Sequence, residues 1–94
     1  MFAKGAQDLT EVFEDNGKML REWANSTKGA HEGSMELWES VGKVNSALEK
    51  MFGTKFSTEN IKKSMKDIEK AMKGDEKAIE RLRKVAMEEI VINL

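Results

Sequence analysis

The chain predicts an all-α fold, a small bundle of three or four helices whose second half is an antiparallel helical hairpin. Three observations support this. None of the 94 residues is proline, so long helices are free to form. Apolar residues recur at spacings of three and four along most of the chain, the period of one helix face. Tyrosine is absent and β-branched residues are sparse before the final segment, which argues against a sheet. Ninety-four residues allow a single module, 1–94, with helices expected over 8–26, 34–52, 58–73 and 76–90.

The first helix is expected to start at Asp8, whose carboxylate can cap while Glu11 sits three residues on, as in a capping box. Leu9, Val12, Phe13, Asn16, Met19, Leu20, Trp23 and Thr27 then fall on one face. Asp15-Asn16-Gly17 is a turn signal inside that pattern and marks a point of kinking or early termination. Asn16 on the apolar face reads as a register device or a rim residue rather than a ligand. Residues 25–34 turn small and polar, with Gly29 and Gly33 each costing a helix about 1 kcal/mol, so a loop is preferred with Ser34 capping the next helix. The stripe nevertheless stays in phase through Thr27, Ala30, Ser34 and Leu37. One unbroken helix over 8–52, roughly 65–70 Å long, therefore stays open.

The second stripe is Leu37, Trp38, Val41, Val44, Asn45, Leu48, Met51 and Phe52, with Gly53 as a left-handed stop. Trp23 and Trp38 both lie on stripes and read as core anchors. Ser57 then caps a helix, with Phe56 before it and Ile61 after it arranged as a hydrophobic staple. Ile61, Ser64, Met65, Ile68, Ala71 and Met72 form its buried face. Glu59–Lys63, Glu69–Lys73 and Glu80–Lys84 are favourably ordered pairs outside. Gly74 ends that helix and Asp75 caps the next, whose stripe is Ile79, Leu82, Val85, Ala86 and Ile90. So short a joint makes the two helices antiparallel neighbours. Residues 90–94 either prolong the last helix or begin a strand.

Composition limits the function classes. With 39% apolar and 35% charged residues the chain suits a packed helical domain, not a disordered one. No strictly apolar run exceeds three residues, Ile90-Val91-Ile92 among them, whereas a transmembrane helix needs about 20. The absence of cysteine removes disulfides and thiolate metal sites and mildly favours a reducing compartment. The start lacks the apolar core of a secretory signal. The apolar residues at Ile90–Leu94 suggest a piece of a longer chain. Net charge is −1 but unevenly spread: residues 1–49 hold five Lys/Arg against nine Asp/Glu, and residues 50–84 hold eleven against six. Such opposition can steer one half onto the other, or like chains head to tail.

No reaction chemistry is legible. The single His31 sits in a Gly/Ser-rich stretch without a nucleophile, and no second histidine supports a di-iron site. Glu32/Glu36 and Glu88/Glu89 read as solvated carboxylates in a highly charged chain. No catalytic, cofactor-binding or metal-ligating residues are assigned, and neither a cofactor nor a small-molecule substrate is expected. Lys62, Lys63, Lys66, Lys70, Lys73, Lys77, Arg81, Arg83 and Lys84 present a possible nucleic-acid face. Interleaved Asp67, Glu69, Glu76 and Glu80 favour a solvated lysine-rich surface instead. The six internal methionines suggest adaptable packing.

The stretch Leu48-Glu49-Lys50-Met51-Phe52-Gly53-Thr54-Lys55-Phe56-Ser57-Thr58-Glu59-Asn60-Ile61, the stretch Ala71–Arg83 and the ending Ile90-Val91-Ile92-Asn93 resemble a segment of tape-measure-like tail proteins of phages and prophages. The likeness covers about half the chain and is one of helix punctuation, not of a catalytic signature. It implies a structural role: such proteins are long, mainly helical, and set tail-tube length during assembly. A back-folded hairpin is a poor ruler, since one continuous helix of this chain would run ~140 Å. The expectation is therefore a folded module in virion tail assembly, located in the virion tail or the bacterial host cytoplasm. Its partner would be itself, a tail protein or a chaperone. The alternative is an independent helical adaptor binding nucleic acid or an acidic protein through the basic hairpin 58–84.

Overall fold

The first apolar stripe forms a helix that starts well before its capping signal. The computed structural model describes residues 2–27 and 33–92, and in it α1 spans Phe2–Asn25. Asp8 is therefore not its cap. Helical stability in proteins comes mainly from tertiary packing, and the early turns of α1 lie against α2 (Met35–Phe52). Buried Gly5 allows a close approach: a Cβ there would meet Met51 Cγ at 2.4 Å and the Ala47 carbonyl oxygen at 2.8 Å. The Asp8 carboxylate instead accepts from Lys50 Nζ at 2.6 Å. Asp15-Asn16-Gly17 does not end the helix, because Val12, Phe13 and Leu20 on either side are buried in the core.

α1 and α2 are antiparallel. Gly5 meets Ala47 and Met51 at one end, while Trp23 meets Trp38 at the other, with ring centroids 5.8 Å apart and planes at 78°. A single helix over 8–52 is thereby excluded, and molecular extents of 29 × 28 × 19 Å leave no room for it. Ser34 begins α2, its hydroxyl accepting from the Leu37 N–H at 3.1 Å. Residues 28–32, including His31, lie outside the described residues. Gly53, at φ +83°, ends α2 with its N–H on the Glu49 carbonyl at 2.8 Å.

The helix expected over 58–73 is divided into α3 (Thr58–Lys63) and α4 (Met65–Met72), which raises the number of described helices to five. Ser64 sits at the offset with φ −99° and ψ +11°. Its N–H still bonds the Asn60 carbonyl at 2.9 Å, and its own carbonyl accepts from Ile68 at 2.8 Å. The offset is a shift within one helical run. It fits the packing: α3 touches α1 and α2, whereas α4 lies between α1 and α5 (Glu76–Ile92). Serine, a weak helix former, tolerates such a step.

Gly74, at φ +92°, turns the chain, and the Asp75 carboxylate accepts from the Ala78 N–H at 3.0 Å to start α5. That helix continues through Ile92, so 90–92 are helical rather than a strand; 93–94 lie outside the described residues. Glu59–Lys63 forms at 3.1 Å, but Glu69 reaches across to Arg21 at 3.1 Å instead of Lys73, and no Glu80–Lys84 pair forms. All five helices share one core. Leu9 and Leu20, Val44 and Leu48, Ile61, Ile68 and Leu82 are fully buried, each such side chain stabilising the fold by about 1.5–3 kcal/mol.

Candidate functional site

Polar side chains converge at the junction of α2, α3 and α5. Half-buried Asn45 clamps the backbone of Phe56: its Nδ2 donates to the Phe56 carbonyl at 2.9 Å, and its Oδ1 accepts the Phe56 N–H at 2.7 Å. Phe56 lies between helices, where its backbone groups would otherwise lack partners. Buried Glu89 on α5 accepts from the Ser57 N–H and, at 3.2 Å, from the Asn60 side-chain amide. The Ser57 hydroxyl accepts from the Asn60 N–H at 3.2 Å. Together these groups satisfy backbone donors at the start of α3 and join it to α5.

Glu89 corrects the reading of Glu88/Glu89 as solvated carboxylates. It follows Leu82 and Ala86 at spacings of four and three, which puts it on the buried side of α5, 6% exposed. That phase was visible in the sequence. Its carboxylate is occupied by N–H donors, which makes it a cap across two helices and not a base aimed at a substrate. Ile90, by contrast, was placed on the buried stripe and is 43% exposed. A face centred on Ala78, Leu82, Ala86 and Glu89 leaves the next residue turned about 100° away.

The basic side chains of the hairpin do not form an uninterrupted face. Arg81 grips Asp67 with Nε at 3.1 Å from both oxygens and Nη2 at 2.8 Å from one. This hydrogen bonding raises the guanidinium above its ordinary pKa. Lys63 pairs with Glu59, and Lys62 Nζ stands 5.8 Å from the ring centroid of buried Trp23. Between α1 and α2 runs an open groove of about 640 Å³ lined by mixed charges, including Glu11, Asp15, Glu39 and Lys43, and by Asn16. Among the described residues, no group of three His, Cys, Asp or Glu side chains is placed to hold a metal ion. None of the described helices is long and apolar enough to cross a membrane.

Apart from Met35 at the start of α2, the exposed large apolar side chains of the described residues gather at the far end of α5. Met87 and Val91 are each 66% exposed and Ile92 is 75% exposed. With Asn60 and Glu88 these residues border a shallow cavity of about 510 Å³. The site thus comprises a polar latch directed inward and an apolar edge directed outward. No protein-family model, curated protein or solved structure matches this chain.

Proposed function

We propose that this chain is a structural interaction module that acts by helix packing, set within a phage tail tape-measure-like protein and active in virion tail assembly. The carrying observation is where its converging polar groups go. Asn45, Asn60 and Glu89 are occupied in holding backbone and helix ends, while α5 offers bare apolar side chains to the outside. The tail setting draws its support from the resemblance over residues 48–61 and 71–83. Those stretches coincide with the end of α2, the start of α3 and the α4–α5 joint.

On this reading the module is a folded station in a long helical protein. Its longest extent of 29 Å contributes far less length than the ~140 Å of the same residues in one helix. It works in the virion tail, after assembly in the host cytoplasm. The test is mass spectrometry of purified tails from the phage or induced prophage whose genome encodes the chain. Peptides from residues 55–84 are expected in the particle. Their absence from tails, with the protein abundant in the cell lysate, would overturn the tail setting.

A further inference from the structure

We infer that the outer edge of α5 is a self-association surface that seats a second copy of this chain, antiparallel, about a two-fold axis near Met87. The inference deepens the interaction reading by naming its partner, and it does not depend on the tail setting.

The surface follows from helical phase. At 3.6 residues per turn, Met87 and Val91 point away from Ala78, Leu82 and Glu89, which face the core. Two-thirds of each of these two side chains is open to solvent, an exposure that invites burial. Methionine at the centre of such a patch adapts readily to the surface it meets.

Charge complementarity selects the occupant. Lys84 and Glu88 lie one helical turn apart on the same flank of Met87, both exposed, and neither enters an ion pair among the described residues. When two α5 helices cross antiparallel at the level of residues 86–87, Lys84 of each copy stands opposite Glu88 of the other. Two-fold symmetry makes this pairing twice. A parallel two-fold crossing would carry this flank of the two copies to opposite sides of the interface, so Lys84 and Glu88 would not meet. The antiparallel crossing also lays the aliphatic stems of Arg83 and Lys84 over Ile90 and Val91 of the other copy. The edge matches itself in one orientation only.

The patch is small. The face from Glu80 to Ile92 is about 20 Å long and covers well under the roughly 800 Å² per partner of a standard stable interface, so the dimer is weak and concentration-dependent.

The experiment is sedimentation equilibrium of the 94-residue chain from about 10 µM to 1 mM, with circular dichroism to verify folding of each variant. A monomer–dimer equilibrium is expected. Met87→Lys or Val91→Lys weakens it at least tenfold; both side chains are exposed, so the fold is retained. Lys84→Glu and Glu88→Lys each weaken association about three- to tenfold, and the K84E/E88K double variant restores it. A protein monomeric at 1 mM overturns the inference, as does a dimer indifferent to Met87→Lys or a double variant that fails to recover. None of these outcomes alters whether the chain is found in purified tails, so the two readings fail separately.

Discussion

The α1–α2 and α4–α5 hairpins are both antiparallel helix pairs, yet different forces hold them. The first joins helices of 24 and 18 residues along a continuous apolar seam, closed at one end by Gly5 against Met51 and at the other by Trp23 against Trp38. The second begins with an eight-residue helix and relies on discrete fastenings: the Gly74 turn, the Asp75 cap, the Asp67–Arg81 fork and, through Glu89, a tie to α3. The contrast teaches that long helices carry enough apolar surface to define their own pairing. Short ones depend on caps and cross-links placed residue by residue.

The sharpest way to break the comparison is to damage the apolar seam alone. Leu48→Ala, at a fully buried position, is expected to cost about 2–5 kcal/mol in urea unfolding. Because the core is shared, amide exchange in α5 should accelerate along with that in α1 and α2. Unchanged protection in α5 would make the hairpins separate folding units. Next in size is the latch. Glu89→Ala strands the Ser57 N–H and the Asn60 amide and is expected to cost about 1–3 kcal/mol. Its local signature is faster exchange at the start of α3.

Two glycines then test close approach. Gly5→Ala places a methyl against Met51 and the Ala47 carbonyl and should destabilise by about 1–3 kcal/mol less whatever helix propensity returns. Gly42→Ala, on α2 with nothing within 4 Å of the added carbon, should stabilise by about 0.5–1 kcal/mol. Equal signs in thermal melts would contradict the seam as drawn. The smallest effect belongs to Asp75, whose carboxyl is held below the usual 3.8, first by the Ala78 N–H and then by the Lys77 N–H and the charges of Lys70 and Arg81. A lowered folded-state value stabilises above the unfolded value and is lost as pH falls through the folded one. The Tm gap between the parent chain and Asp75→Asn should therefore be open at pH 7 and close below about pH 3.8.

Much of the second half was legible because its signals are local. Gly53, Ser57, Gly74 and Asp75 each act on backbone within a few residues, and all four do so in the structure. The all-helical class was legible for the same reason. The start of α1 was not, because its helix is held by residues 47–51 of another element and not by the Asp8 signal. The division at Ser64 was hidden because both parts of that run keep a helical period. Asn45 was read as one more position on a stripe, since its partner at Phe56 is defined only once the loop has folded. Glu89 was misread as solvated on account of its charge, although its helical phase with Leu82 and Ala86 pointed to the core. The outer edge of α5 was half legible, since its apolar residues were plain but their exposure depended on which face the core took.

The tie between Ser57 and Glu89 also bears on how the chain is made. These residues are 32 positions apart. At roughly 5–20 residues per second, a ribosome presents the amide some seconds before the carboxylate that receives it. During that interval the first hairpin can settle while α3 waits. A later stretch thus completes an earlier one, and a nascent chain halted short of residue 89 would expose an unfinished helix start to chaperones.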